Sequence, residues 1–157
     1  MAMQKLSYTD KVALNSNSSI PDINKVNASD MNEIKTKFNG NVDFWARQSY
    51  EFTPVYTNYN PGYELFKIGN IVIFAVNSIF MPSINANEWT VVGSIPAGIS
   101  PSGSASITAV TTISSGSSGD ILGYGRTDIL TNGNLRVKST TANSGLTFFS
   151  FIAVWTI

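Results

Sequence analysis

The side chains that could support acid–base catalysis are the carboxylates beyond residue 50. There are five of them: Glu51, Glu64, Glu88, Asp120 and Asp128. A glycosidase needs two carboxyl groups roughly 5 to 10 Å apart on either side of the bond that it cleaves. No spacing among the five requires such a pair. They are explained more simply as exposed charges at strand ends or, for Asp128, as a cross-strand partner of Arg136. The sequence thus favours a protein that is not an enzyme, with a polysaccharide depolymerase as the alternative.

Several other kinds of site are excluded by composition. The chain contains no histidine and no cysteine, so it can form neither the usual Cys/His zinc sites nor a Ser-His-Asp triad. Its glycines follow neither the phosphate-binding loop pattern nor the dinucleotide-binding pattern. We therefore expect no cofactor and no metal ion.

A tyrosine-rich segment offers a way to bind a neutral, hydroxylated ligand. The sequence YTNYNPGY at residues 56–63 places three tyrosines and two asparagines in a turn-forming stretch. Aromatic faces and a few amides are the groups that hold such ligands. The alternative is that these tyrosines pack against a neighbouring subunit. The candidate ligand-binding residues of this segment are Tyr56, Tyr59, Asn60 and Tyr63.

A second candidate site lies on a predicted hairpin, GRTDILTNGNLRVKS at residues 125–139. A three-residue loop with Gly133 in the left-handed conformation pairs Asp128 with Arg136, whereas a two-residue loop mixes charged and apolar side chains on both faces. The first register is favoured because it leaves one face apolar and the other charged. The outer face then carries Tyr124, Arg126, Asp128, Arg136 and Lys138. The candidate ligand-binding residues of this hairpin are Arg126, Asp128 and Arg136.

Strands must position both candidate sites. From residue 50 onward apolar and polar residues alternate with a period of two, and turn sequences rich in Gly, Pro and Asn separate the runs. This pattern predicts a mainly β protein with an antiparallel β-sandwich or jelly-roll-like head over residues 50–157. Trp89 and Trp155 fall within strands, and we expect both in the core. The predicted strands are 51–57, 64–68, 71–80, 88–94, 105–113, 120–130, 135–139 and 146–157.

The first part of the chain differs in charge and pattern. Residues 1–49 hold 11 of the 20 charged residues, and residues 1–24 have the polar composition of an extended connector. A short N-terminal helix follows, with Asn27 as a possible N-cap. The sequence leaves open whether this helix continues past Gly40, which would normally end it.

The helix carries a narrow apolar seam that needs a partner. Met31, Ile34 and Phe38 are spaced at i, i+3 and i+7, and Trp45 extends the seam if the helix continues. A helix of this length is marginal in water by itself, so the seam packs either on the β domain of the same chain or against other copies. We favour a bundle of two or three copies because the seam is flanked by Lys and Glu. The residues predicted to mediate oligomerisation are Met31, Ile34, Phe38 and Trp45.

Charge and hydropathy argue against several partners. Only 13% of the residues are charged and the formal net charge is zero. Nucleic acids and anionic membranes attract clustered basic surfaces, so we expect neither partner. The longest apolar run, residues 71–76, is too short to cross a bilayer. The first residues lack the pattern of a signal peptide, and work outside a cell would need another route of export.

Several segments resemble phage proteins when they are taken in order. NSSIPDINKVNASDMNEIK is similar to the opening of structural proteins from phages of Gram-positive bacteria. FKIGNIVIF, WTVVGSIPAGISPSG, GRTDILTNGNLRVKS and the terminal FFSFIAVWTI resemble the C-terminal β domain of phage tail-fibre and baseplate receptor-binding proteins. The resemblance covers roughly residues 18–39 and 64–157. The family often has an arginine where this chain has Ser100, so no role is carried over from that position.

The resemblance implies a function. Proteins of this family are homotrimeric virion components of the tail tip or baseplate, assembled in the host cytoplasm and released by lysis, and their β heads adhere to cell-wall saccharide. The expected partners are therefore other copies of the chain, a host cell-surface saccharide, and other baseplate or tail proteins bound through the N-terminal segment. A purely structural baseplate or adaptor protein is the alternative.

Overall fold

The computed structural model describes residue 5 and residues 28–81, 83–102, 106–116, 118–143 and 145–157. The chain divides into two compact units, Met1–Ala46 and Arg47–Ile157. Apart from Lys5, the predicted connector lies outside the described residues, as does the predicted N-cap Asn27. Within the described part of the chain, no helix is long and apolar enough to cross a bilayer.

The first unit contains the helix α1, Ala28–Trp45. The helix continues for five residues beyond Gly40, which answers the question that the sequence leaves open. An interior glycine costs a helix only about 1 kcal/mol relative to alanine, so one glycine does not end it here. The side chains predicted to mediate oligomerisation are exposed on the single chain, Ile34 to 55% of its surface. Around them, Lys37 Nζ pairs with Glu33 Oε1 at 2.5 Å, one helical turn away.

The second unit is one curled antiparallel sheet. Its strand order is β1-β3-β4-β9-β6-β7-β8-β5-β2 across the nine strands of the described residues. The prediction of a mainly β, antiparallel head behind an N-terminal helix is confirmed, whereas a jelly-roll arrangement and a homotrimer stay predictions. The strands are β1 Gln48–Ser49, β2 Thr53–Pro54, β3 Gly62–Ile68, β4 Ile71–Met81, β5 Trp89–Ser94, β6 Ile107–Ser115, β7 Ile121–Ile129, β8 Asn134–Ser139 and β9 Thr147–Thr156.

The two edges of the sheet are covered by one segment. β1 pairs with β3 at one end of the strand order and β2 pairs with β5 at the other end, although only residues 50–52 separate β1 from β2. The sheet must therefore curl until its ends are close together. The predicted strand over residues 51–57 is shortened to Thr53–Pro54, because the chain has just crossed from the edge at β3 to the edge at β5.

Phe52 occupies the junction between the two edges. Its ring centroid lies 5.4 Å from that of Phe74 and 5.6 Å from that of Tyr63, and its backbone N–H donates to the Tyr63 hydroxyl at 3.1 Å. A Cβ atom at Gly93 would come within 2.1 Å of the Phe52 ring. Glycine is required at position 93 because the ring uses the space that a side chain would fill.

The inside of the curled sheet holds the hydrophobic core. Alternate residues point inward most regularly in β8 and in β9, where buried and accessible positions follow one another from Thr147 to Thr156. Trp155 is buried as predicted, and its Nε1–H donates to the Ile99 carbonyl oxygen at 2.8 Å. The largest fully buried apolar side chains are Phe74, Phe149, Ile79, Met81, Ile99, Ile113, Ile129 and Leu135.

Candidate functional site

The predicted hairpin register brings the charged candidates together. β7 and β8 pair Asp128 with Arg136 and Ile129 with Leu135. Gly133 has a φ of 85°, and its N–H donates to the Leu130 carbonyl oxygen at 2.9 Å. The three-residue loop and its left-handed glycine are thereby confirmed. The register places Arg126, Asp128 and Arg136 on the outer face of the sheet.

Asp128 is the centre of this group. Its side chain is 0% exposed although it lies on the outer face, because two arginines cover it. Arg126 donates from Nε to Oδ1 at 2.7 Å and from Nη2 to Oδ2 at 3.2 Å. Arg136 donates from Nη2 to Oδ2 at 3.0 Å. A fork of this kind fixes the guanidinium plane as well as its position.

A threonine on the neighbouring strand completes the network. Thr108 stands opposite Asp128 in the β6–β7 pairing. Its hydroxyl donates to Asp128 Oδ1 at 2.9 Å and accepts from Arg126 Nη2 at 3.1 Å. Every described hydrogen bond of the carboxylate therefore comes from a neighbour on the same outer face.

The pKa of Asp128 reflects two opposing causes. Burial by itself raises the pKa, since a charged carboxylate loses its water. The hydrogen bonds from Arg126, Arg136 and Thr108, together with the positive charge of Arg126, outweigh burial and hold the pKa below its usual value. Asp128 is consequently ionised at neutral pH and serves as an anchor for two cations rather than as a proton donor.

An indole ring lies beside the arginines. The Arg136 guanidinium carbon is 4.2 Å from the centroid of the Trp89 ring, and that of Arg126 is 5.4 Å away. Lys138 stands directly opposite Trp89 in the β5–β8 pairing, with its Nζ 5.9 Å from the ring. We name this group the charged face: Trp89, Arg126, Asp128, Arg136 and Lys138. The expectation that Trp89 belongs to the core is wrong, because its strand register turns the half-buried ring to the outer face.

A concavity of about 390 Å³ opens on the charged face. Gly125 forms part of its floor, and a Cβ atom there would come within 2.4 Å of the Lys138 carbonyl oxygen. Glycine thus lets β7 and β8 approach each other beneath the exposed Tyr124 ring. The residues that line the concavity are Asn87, Trp89, Tyr124, Gly125, Arg126, Lys138, Ser139 and Thr140.

The tyrosine-rich segment forms a separate cluster. The Tyr59 ring packs on Phe80 of β4 and Phe148 of β9, with centroid distances of 4.9 and 5.6 Å. Tyr56 contacts Phe80 edge-on at 6.4 Å. Tyr59 remains exposed, as does Asn60. An aromatic surface open to a ligand is therefore present on this segment.

Tyr63 plays a different part from its neighbours in the sequence. It contacts Phe52 and Phe74, and its hydroxyl accepts the Phe52 N–H. These contacts belong to the junction that closes the sheet. The structure therefore groups Arg126 with Asp128 and Arg136, and Tyr56 with Tyr59, while Tyr63 lies apart from both groups.

The pattern of the sequence did not single out all of the site. The strand pattern assigns Trp89 to the core, and it does not single out Thr108 within a long run of serines and threonines. Tyr124 and Lys138 were placed on the outer face but were not chosen as site residues. The place of Trp89 depends on the pairing of β5 with β8, two strands that are distant in the sequence. The place of Thr108 follows from the pairing of β6 with the next strand of the chain, β7. Among the described residues, no three acidic side chains gather in a way that could hold a metal ion.

Comparison with solved structures relates this chain to a phage protein. It is similar to the head domain of phage bIL170, a receptor-binding domain of a lactococcal phage, with a TM-score of 0.57 and 17% sequence identity. The similarity covers 71% of this chain and 99% of the other. No protein-family model matches the sequence, and no curated protein matches it. The chain thus has the fold of a lactococcal phage receptor-binding head domain, as its resemblance to phage receptor-binding proteins indicated.

Proposed function

We propose that this protein is a phage receptor-binding protein whose β head adheres to saccharide on the host cell surface, without catalysis. The observation that carries the proposal is the charged face, where a half-buried indole ring lies against two arginines fixed by a buried carboxylate. A sugar ring can stack on an indole face, while fixed guanidinium groups donate hydrogen bonds to its oxygens. The similarity of the fold to a phage receptor-binding head domain supports the proposal.

The net charge of the charged face limits the chemical class of the ligand. Three cations surround one anion, Asp128, whose two oxygens already accept hydrogen bonds from Arg126, Arg136 and Thr108. The net charge of the group is therefore positive within a protein of zero net charge. We infer that the saccharide carries phosphate or carboxylate groups, because arginine recognises both with paired hydrogen bonds.

The tyrosine cluster is the second candidate contact. Tyr59 and Asn60 are exposed, and Tyr56 supports the Tyr59 ring through Phe80. A long polysaccharide could use this surface together with the charged face, or the cluster could contact another subunit. Replacing Tyr59 alone in a binding assay separates the contribution of the tyrosine cluster from that of the charged face.

Association of copies would strengthen weak binding. Each head offers a shallow site, and three heads joined through α1 would hold a polymer with much higher avidity than one. The exposed seam formed by Ile34, Phe38 and Trp45 supports this arrangement. We propose that the homotrimer stands at the tail tip or baseplate and that residues before α1 attach it to other virion proteins.

The binding proposal is tested by sedimenting the purified chain with host and non-host cell walls. We expect binding to host walls, with Trp89→Ala lowering the affinity roughly 10- to 100-fold. Ile121→Ala, at an exposed apolar residue of β7 outside the charged face, should leave the affinity unchanged. Binding to neither wall would favour the purely structural baseplate role. Sugar released into the supernatant would instead show a depolymerase.

The role of α1 is tested separately by measuring the mass of the protein particle in solution, which gives the number of associated copies. We expect Ile34→Asp combined with Phe38→Asp to convert the oligomer into a monomer, because two charges would be buried in the helical seam. The reference is Thr36→Asp, an exposed position on the same helix. A double variant that keeps the native oligomeric mass rules out the seam as the contact.

A further inference from the structure

The outer face of β3, β4 and β9 is aliphatic, unlike the charged face. Strand pairing aligns Phe66, Ile73 and Val154 in one row and Glu64, Ala75 and Ile152 in the next. Ile152 is 70% exposed and Val154 is 55% exposed. We name this group the aliphatic face: Phe66, Ile71, Ile73, Ala75, Ile152 and Val154.

The chemistry of the aliphatic face fits protein rather than sugar. Its side chains offer no hydrogen-bond donor or acceptor, and a saccharide placed there would leave its hydroxyls without partners. Its edge carries both signs of charge, since Arg47 Nη2 lies 3.4 Å from Glu64 Oε2. These two opposite charges do not favour a strongly positive or strongly negative partner. The same face of a second copy is apolar and also carries both signs of charge, so it is complementary to the aliphatic face.

The path of the chain connects this face to α1. Arg47 follows the last helical residue by two positions, and its guanidinium lies 4.1 Å from the centroid of the Phe66 ring, on the edge of the aliphatic face. Two residues span at most about 7 Å. If copies associate through α1, this short covalent connection raises the local concentration of the head of one copy beside the heads of the others.

We propose that the aliphatic face is a contact between heads of associated copies. The inference rests on the association proposed above but not on saccharide binding. Beyond Val154 the face continues into a depression of about 500 Å³, which can receive an aliphatic side chain of the neighbouring copy. Its lining residues are Ile71, Pro101, Ser102, Ile107, Val154, Trp155 and Thr156.

The small size of the aliphatic face limits how much it can contribute to the stability of the assembly. A stable interface usually involves about 20 to 30 residues on each side, and the aliphatic face with its depression has fewer. The face therefore adds to the association of α1 and orients the heads, rather than holding copies together alone. This division predicts a weakened assembly, and not a complete loss, when the face is altered.

The experiment measures the concentration at which half of the full-length chains are assembled, by analytical ultracentrifugation. We expect Ile152→Lys to raise that concentration at least about tenfold, since it replaces an isoleucine that the proposed contact would bury with a charge. The matched control is Ile121→Lys, because Ile121 is a similarly exposed isoleucine (60%) on β7. Ile152→Thr serves as a second variant that keeps the β preference of the strand and should give a smaller shift in the same direction.

The outcomes separate this inference from the binding proposal. A wild-type chain that stays a monomer, or lysine variants that both assemble like the wild type, overturns the inference. Far-ultraviolet circular dichroism and the thermal midpoint show whether each variant is folded before its mass is interpreted. A chain that fails to bind cell walls still gives a valid result here, because no saccharide enters the measurement.

Discussion

The charged face and the aliphatic face are outer surfaces of the same curled sheet, yet they are built in opposite ways. The charged face holds its side chains in place with ion pairs and hydrogen bonds around Asp128, so its geometry depends on a single carboxylate. The aliphatic face has rows of apolar side chains whose positions follow from the strands alone. The difference shows that one antiparallel sheet can present a hydrogen-bonded, charged surface on some strands and an apolar surface on others.

Among substitutions that distinguish the two faces, Asp128→Asn should cause the largest loss of stability. The amide cannot neutralise Arg126 and Arg136, and its NH₂ group would point a donor at their donors. Breaking a buried ion pair costs 3–5 kcal/mol, but both arginines are partly exposed and water screens them. We expect a loss of about 2 kcal/mol in the free energy of unfolding measured with urea.

The control for this substitution is Asp120→Asn. Asp120 is exposed, and we expect its replacement to change the free energy of unfolding by less than about 0.5 kcal/mol. Equal stability of the two variants would mean that the network around Asp128 contributes nothing to the folded state.

Gly125→Ala should disturb the charged face through the backbone. The new Cβ would meet the Lys138 carbonyl oxygen at 2.4 Å, so β7 and β8 must separate. Overpacking of this kind costs roughly 1 to 3 kcal/mol, and we expect wall binding to fall with it. Gly98→Ala is the reference, because a Cβ atom at Gly98 has no neighbour within 4 Å. A variant as stable as the reference would show that the strands can yield without cost.

Strong acid should remove the stabilising contribution of Asp128 to the charged face. The pKa of Asp128 lies below its usual value in the folded state, so its stabilising contribution is complete above the unfolded value of about 3.9 and disappears as the pH falls through the lower folded pKa. We expect the difference in unfolding free energy between the wild type and Asp128→Asn to narrow below about pH 4. A difference that stays constant from neutral pH to about pH 3 contradicts this account.

Ile152→Lys should have the smallest effect on the stability of the single chain. The side chain is already exposed, so at concentrations below assembly we expect a change of less than about 0.5 kcal/mol in the free energy of unfolding. Urea titration of the dilute chain measures it. A larger loss would mean that Ile152 supports the fold of its own head.

Local patterns predicted the parts of the fold that depend on residues near each other in the sequence. The register of β7 and β8 followed from Gly133 and from the alternation of its two strands. The position of Trp89 could not be predicted in the same way, because β5 joins β8 across more than 40 residues of chain. The crossing of the chain from β1 on one edge to β2 on the other within residues 48–54 is likewise a property of the whole curled sheet and not of the segment.

The segment from β1 to β2, which pairs with both edges of the sheet, affects how copies of the head behave at high concentration. The unpaired edges of a sheet are templates on which other chains can add strands and aggregate. Here both terminal strands are only two residues long, and one of them contains Pro54, which has no N–H to offer a newcomer. A head whose edge strands are this short resists growth into strand-joined polymers where many copies are crowded together.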